Sequence, residues 1–173
     1  MGYYFEASDL ACYISQKFYD KYGYEISSIK LQKSLYFLFA YWGGFVNKSC
    51  ANFADDRECQ EMNKYKRYLF NDRIEAWTYG PVVPEIYKKF NSGIYRHSDN
   101  SSLNESISKI NANLEVKAFI DDMIGDLFSF SDFKLVDIAH QDECWKKNYN
   151  IEDEYHNNEI SKDQIIDEYS KRV

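Results

Sequence analysis

The chain has 173 residues, which suits one domain of ordinary size and is enough to bury a core of its own. Its formal charge of −7 argues against a nucleic-acid ligand, because phosphate binding needs a surplus of Lys and Arg on one face. The 16 tyrosines and an aromatic share of 18% predict that some rings reach the surface, since a tyrosine hydroxyl needs water or a partner.

The cysteines suggest neither a metal nor a disulfide framework. Cys12, Cys50, Cys59 and Cys144 are scattered and include no C-x-x-C pair. There is no basic-then-apolar N-terminus and no long apolar run, so neither export nor membrane insertion is indicated. We therefore expect a cytoplasmic protein without cofactor or metal.

Two helices are predicted at the start of the chain. The first covers Ser8–Tyr22 and has Ser8 as its cap, while Ser27 caps a second helix over Ser28–Tyr41 or a little beyond. Gly43 and Gly44 are predicted to stop it. This second helix is apolar on most of its surface, which is typical of a buried core helix.

The segment Asn47–Tyr68 is polar and charge-mixed, and we interpret it as a surface insertion containing one short helix from Asp55. Residues 91–113 are again polar, and they are expected to be loop with a short ordered piece near Ile107 and Ile110.

A strand, a rigid turn and a helix are predicted between these polar segments. The run Arg73–Tyr79 alternates like a half-buried strand. Gly80 and Pro81 follow it as a rigid turn, because Pro81 fixes its own φ and biases Gly80 away from the helical region. Pro84 suits the first turn of a helix, where its missing N–H is no loss.

The second half of the chain returns to helical spacing. Helices are predicted over Leu114–Phe128 and after Ser131, followed by a short basic turn beyond Trp145 and a last helix behind the capping box Ser161–Gln164. The predicted fold is mostly α with a small β-sheet, in one compact helical domain spanning residues 1–173.

One cluster could carry catalytic chemistry. His140 lies beside Asp142 and Glu143, and such a trio could perform general acid–base work. The alternative is a buried hydrogen bond of His140 with Trp145 packed beside it. No nucleophile elbow and no glycine-rich phosphate loop accompany the trio.

A second candidate is Glu75 next to Trp77, where desolvation by the aromatic ring could raise the pKa of the carboxyl. A salt bridge from Glu75 to Arg73 or Lys30 is the alternative.

Three segments carry a family resemblance. Ser28–Phe37, reading SIKLQKSLYF, resembles the "pLKLQKLLYF" helix of the SocA-like, or Panacea, domain. Phe70–Pro84, reading FNDRIEAWTYGPVVP, resembles that family's "lFdepIeAWkyGPVvPevY" signature, which Tyr87 continues. Leu135–His140 with Trp145-Lys146 is similar to the "LselTHqegPWk" segment, and the last helix to the closing "I…iikeYf".

The chain departs from the family pattern at two places. Residues 47–68 stand where the family commonly has a short connection, and Cys144 stands where it often has Pro.

The resemblance implies an antitoxin of a two-gene toxin–antitoxin system, which neutralises a cognate protein toxin by binding it. In one branch of the family the antitoxin acts as an adaptor that delivers the toxin to a cytoplasmic protease. The family is not known for enzymes, so no catalytic residue is assigned. The predicted partner-binding residues surround the strand-turn-helix element: Trp77, Tyr79, Pro81, Tyr87, His140 and Trp145.

Two other functions stay open. One is a phage-encoded binding protein that acts on a host factor, and the other is a hydrolase that uses His140, Asp142 and Glu75.

Overall fold

A computed structural model describes residues 2–52, 64–97, 102–152 and 158–173 of the chain. Within them it contains eight helices and four short strands. The helices are α1 Ala7–Tyr22, α2 Ser28–Asn52, α3 Pro84–Asn91, α4 Leu103–Asn111, α5 Leu114–Ser129, α6 Asp132–Ala139, α7 Glu143–Asn148 and α8 Lys162–Tyr169. The strands are β1 Tyr3–Phe5, β2 Tyr68–Phe70, β3 Glu75–Trp77 and β4 Gly80–Val82.

The strands form two separate pairs. β1 and β2 are parallel, and β3 and β4 form an antiparallel hairpin. The prediction of a mostly helical fold with little sheet is therefore confirmed.

The helix α2 is the centre of the core. Leu31, Tyr36 and Phe37 are all buried, although at 100° per residue they point to three different sides of the helix. At its start, the Lys30 backbone N–H donates to Ser27 Oγ at 3.0 Å. The predicted core helix and its serine cap are both confirmed.

The predicted end of α2 is wrong. The helix passes through Gly43 and Gly44 and continues to Asn52. Both glycines face α8: a Cβ on Gly43 would lie 2.5 Å from the Ile166 side chain, and one on Gly44 would lie 2.8 Å from the Tyr169 backbone. These glycines allow α8 to lie close against α2, and they do not end the helix.

The serine predicted to cap α1 does not cap it. The helix begins at Ala7, so Ser8 lies inside the first turn and Glu6 is the capping residue. The Glu6 backbone N–H donates to Asp9 Oδ2 at 3.3 Å, which satisfies one donor at this end of the helix. The cap predicted at Ser131 is confirmed, since its Oγ accepts from the Lys134 backbone N–H at 3.2 Å.

The predicted rigid turn is a β-hairpin. Thr78 and Tyr79 form the two-residue loop, and Trp77 pairs with Gly80 beside it. Gly80 has a φ of +94°, which favours glycine, and Pro81 lies in the strand opposite Ala76.

The helix predicted to start at Pro84 is confirmed as α3, with the proline in its first turn. On the other side of β3, the Ala76 N–H donates to the Asn158 carbonyl at 2.8 Å, and the Ile160 N–H donates to the Ile74 carbonyl at 2.8 Å. The hairpin is thus paired along both edges of β3.

Where the structure describes the two polar segments, they are more ordered than predicted. Residues 47–52 belong to α2, and Tyr68 opens β2; the helix predicted from Asp55 lies outside the described residues. The α4 helix lies where mostly loop was expected, because Ile110 and Ser106 are buried on one side of it.

The helix predicted over Leu114–Phe128 is confirmed as α5, and the last predicted helix as α8. Ser161 stands at the start of α8, but its side chain makes no capping hydrogen bond. The basic turn beyond Trp145 is a short helix, α7. Across the described ranges, no helix is both long and apolar enough to cross a lipid bilayer.

Candidate partner-binding site

The β3–β4 hairpin is held on α2 by hydrogen bonds to its backbone. Lys33 Nζ donates to the Pro81 carbonyl at 2.6 Å. Gln32 forms a double contact with Val83: its Oε1 accepts from the Val83 N–H at 2.8 Å, and its Nε2 donates to the Val83 carbonyl at 3.3 Å. Because both side chains are buried, these bonds fix the strand-to-helix corner to the core helix.

The hairpin loop is held from the opposite side by two rings that stack on each other. The Trp145 indole N–H donates to the Trp77 carbonyl at 2.9 Å. His140 Nε2 lies 3.0 Å from the Thr78 carbonyl, which can only accept, so the imidazole donates. The two ring centroids are 4.1 Å apart and nearly parallel. His140 and Trp145 therefore position the loop.

All six residues predicted to bind a partner lie on or around this hairpin, but their accessibility differs. Tyr79 is 55% exposed and Tyr87 is 37% exposed, whereas Trp77 and His140 are half-buried. Pro81 and Trp145 are buried, so their side chains support the hairpin and do not present themselves to a partner.

A further aromatic residue joins the exposed set. Phe133 of α6 is 65% exposed, and its ring centroid lies 6.5 Å from that of Tyr79. The rings of Trp77 and Tyr87 meet edge-on at 5.0 Å. We call Trp77, Tyr79, Tyr87 and Phe133 the aromatic surface. Large amphipathic rings of this kind are typical of interface hot spots.

Phe133 was missed from the sequence although a signal was present. At 100° per residue, it falls on the side of α6 away from Leu135 and Ala139, which face the core. An aromatic residue on the polar side of a predicted helix is a signal for an exposed ring, and Phe133 is such a residue.

A groove of about 230 Å³ runs between the aromatic surface and α2. Its principal lining residues come from three elements: Ile29 and Lys33 from α2, Trp77, Tyr79 and Val82 from the hairpin, and Tyr87 from α3. Burial lowers the pKa of Lys33 from its usual 10.5 to about 7. The groove thus combines aromatic walls with one buried amine.

The residues of the possible catalytic cluster have separate partners. Asp142 is fully buried and accepts from the hydroxyls of Tyr36 at 2.5 Å and Tyr169 at 2.8 Å, and from Arg172 Nη1 at 2.7 Å. His140, by contrast, contacts the Thr78 carbonyl.

The carboxylates of Glu143 and Glu75 are engaged elsewhere. Glu143 pairs with Lys146 at 2.8 Å. Glu75 accepts from the Trp77 indole at 2.9 Å and pairs with Arg73 at 3.1 Å. The salt bridge to Arg73 that was weighed for Glu75 is therefore present.

The buried residues around Asp142 form a structural network. Burial raises the pKa of Tyr36 and of Tyr169 and raises the pKa of the Cys144 thiol to about 12, so that thiol stays protonated and unreactive at neutral pH. In the part of the chain that the structure describes, no three His, Cys, Asp or Glu side chains are grouped to hold a metal ion. The network joins α8 to α2 and α7.

The comparisons with known proteins give one result. The family model of the antitoxin SocA-like, Panacea domain matches residues 53–146, which is more than half of the chain and includes the hairpin and all six predicted partner-binding residues. The match begins inside the segment predicted to be an insertion. No curated protein and no solved structure matches the chain. The chain belongs to the antitoxin SocA-like, Panacea domain family.

Proposed function

We propose that this protein is an antitoxin that neutralises a protein toxin by binding it directly through the aromatic surface. Family membership is the observation that carries the proposal. The aromatic surface supports it, because Tyr79 and Phe133 are large apolar side chains that stay exposed on a hairpin held rigidly from two sides. A rigid surface loses little conformational entropy when a partner binds.

The charge of the chain also favours a protein partner of one kind. With a net charge of −7, the antitoxin would attract a basic toxin and speed their encounter. The same charge disfavours DNA, so the purified protein should not shift a DNA fragment at moderate salt. Tight sequence-specific DNA binding would contradict the proposal.

We also propose that the protein acts without an enzymatic activity of its own. This proposal is supported by the separate partners of His140, Asp142 and Glu75, each of which is engaged in a different part of the fold. A His140→Ala variant that folds, and whose neutralisation falls only as far as its affinity for the toxin falls, would remove the hydrolase alternative.

The test is a rescue experiment in cells. The product of the adjacent reading frame is expressed alone and together with this chain, and growth is measured. We expect growth arrest that co-expression relieves. If no adjacent reading frame gives an arrest that this chain relieves, the antitoxin proposal fails and the alternative of a phage-encoded protein acting on a host factor takes its place.

A pair of tyrosine variants locates the binding surface. Tyr79→Ala should weaken toxin binding by about tenfold or more, because truncating an interface hot spot costs about 2 kcal/mol. Tyr24→Ala is the matched control, since Tyr24 is 61% exposed but lies outside the aromatic surface. Equal affinities of the two variants, measured by titration calorimetry, would show that the toxin binds elsewhere.

A second measurement separates blocking from degradation. If the antitoxin acts as a proteolytic adaptor, toxin levels fall on co-expression and recover in a strain that lacks the protease. If it blocks the toxin, levels stay constant and the purified proteins form an inactive complex.

A further inference from the structure

The groove beside the aromatic surface is lined by a buried amine, Lys33, which has no acidic partner among the described residues. Lys33 is only 1% exposed, and its Nζ makes one hydrogen bond, to the Pro81 carbonyl. A protonated lysine has three donors. Throughout the described ranges no carboxylate lies within ion-pair distance of Nζ, and burial alone accounts for its lowered pKa.

Lys30 lies one turn away on the same helix, and it is a second buried lysine whose amino group does have an acidic partner. Its Nζ lies 3.6 Å from Asp132 Oδ1 and 3.4 Å from the Phe128 carbonyl, and it also donates to the Phe130 carbonyl. Both lysines are buried, but of the two only Lys30 has an acidic partner among the residues that the structure describes. Protonation of a buried amine without a counter-charge is costly, so a carboxylate that entered the groove would stabilise the charged form of Lys33.

The residues that line the groove restrict the kind of ligand that could bind there. Lys33 is the only charged side chain among its described lining residues, and Gln32 uses both its amide nitrogen and its amide oxygen to bind Val83. The remaining walls are mainly aromatic and aliphatic. A volume of about 230 Å³ admits one side chain, while the aromatic surface contacts the residues that flank it.

We propose that the groove receives the side-chain carboxylate of a Glu or Asp from an apolar segment of the protein partner, and that this carboxylate pairs with Lys33. The proposal rests on the proposed function and specifies its recognition chemistry. The pair would give Lys33 the counter-charge that the described part of the chain does not supply, while the flanking residues would cover the aromatic surface. Recognition would then require an acidic residue between apolar neighbours.

Short peptides test the site without knowledge of the toxin. The Lys33 ε-methylene signal of ¹³C-lysine-labelled wild-type protein is followed by NMR during titration with N-acetyl-Leu-Glu-Leu-amide. We expect a saturable shift in the millimolar range. N-acetyl-Leu-Gln-Leu-amide, which lacks the charge, should give none, and neither peptide should bind the Lys33→Met variant.

A third peptide distinguishes the source of the carboxylate. N-acetyl-Leu-Gln-Leu with a free C-terminal carboxylate carries the same charge on the backbone. Binding of this peptide alone would overturn the assignment to a side chain and point to capture of a chain terminus. Binding of none of the three peptides would overturn the site altogether.

A neutralisation assay then separates this proposal from the antitoxin function. Lys33→Met should stay folded by circular dichroism and weaken toxin binding about tenfold or more, as loss of one partner of a buried charge pair does. Lys171→Met is the control, because it removes the same charge from an exposed position. If wild type and Lys33→Met neutralise equally, the groove proposal fails while the antitoxin function stands. If the wild type does not neutralise, the function itself fails.

Discussion

Replacing Lys33 by Met should stabilise the protein, and most of all at acidic pH. Burial lowers the pKa of this lysine from 10.5 to about 7, so the folded state holds its proton less tightly than the unfolded state. Between these two values the unfolded state binds more protons. The free energy of unfolding of the wild type therefore rises with pH through this window, and the Met variant lacks this contribution.

The magnitude follows from the two pKa values. The difference between 10.5 and about 7 corresponds to about 5 kcal/mol when Lys33 is fully protonated in both states, at 1.36 kcal/mol per pKa unit. At pH 6 the variant should gain about 3 to 4 kcal/mol, because it also loses the hydrogen bond to the Pro81 carbonyl, which is worth about 1 kcal/mol. By pH 8.5 the linkage relation reduces this gain by about 2 kcal/mol.

Urea unfolding followed by tryptophan fluorescence measures the effect. Wild type and Lys33→Met are compared at several values between pH 6 and pH 8.5, and all other side chains are the same in both proteins, so their contributions cancel in the difference. A difference in stability that stays constant over this range would refute the reasoning. So would a variant less stable than wild type at pH 6, since Lys33 would then carry no uncompensated charge.

Two further predictions concern the packing of α8. Gly44→Ala should cost about 2 kcal/mol, because its Cβ would lie 2.8 Å from the Tyr169 backbone. Gly125→Ala, in α5 with nothing within 4 Å, should instead gain about 0.5 to 1 kcal/mol, and equal melting temperatures for the two variants would contradict the account. Asp142→Asn should cost about 2 to 3 kcal/mol by urea unfolding, because it removes the carboxylate that holds Arg172 and two buried tyrosine hydroxyls. An unchanged midpoint would show that the buried network contributes nothing to stability.

What the sequence predicted correctly depends on neighbours along the chain. The caps at Ser27 and Ser131 are hydrogen bonds to residues three positions ahead, so the local sequence is sufficient to specify them. The apolar spacing that predicted α5 is local in the same sense, and the helix lies within one residue of the predicted bounds.

What failed depends on contacts between distant segments. The two glycines Gly43 and Gly44 predicted a helix end. In the fold they lie against Ile166 and Tyr169, more than a hundred residues later in the chain. The second strand was hidden by Pro81, which sequence rules keep out of strand interiors. Pro81 lies opposite Ala76, and the Ala76 N–H points away from β4, where it donates to the Asn158 carbonyl. This pair therefore exchanges no backbone hydrogen bonds, and the missing N–H of Pro81 costs the hairpin none.

The candidate site shows the same division. The family signature around Trp77 and Tyr79 is contiguous in sequence, and it therefore indicated residues that lie together on one side of the hairpin. The burial of Lys33, with no carboxylate beside it among the described residues, could not be predicted, since the hairpin that covers it is 48 residues away at Pro81. That Trp145 supports the loop from inside likewise depends on a bond across 68 residues, to Trp77.

The way in which the hairpin is fastened has a consequence for engineering. Three side chains donate hydrogen bonds to main-chain carbonyls of the hairpin: Lys33, His140 and Trp145. Gln32 binds both the N–H and the carbonyl of Val83. Since the scaffold does not depend on which side chain stands at Thr78 or Tyr79, those positions tolerate replacement without loss of the loop's shape. A combinatorial library there, extended to Phe133, offers a route to retargeting the protein against new ligands.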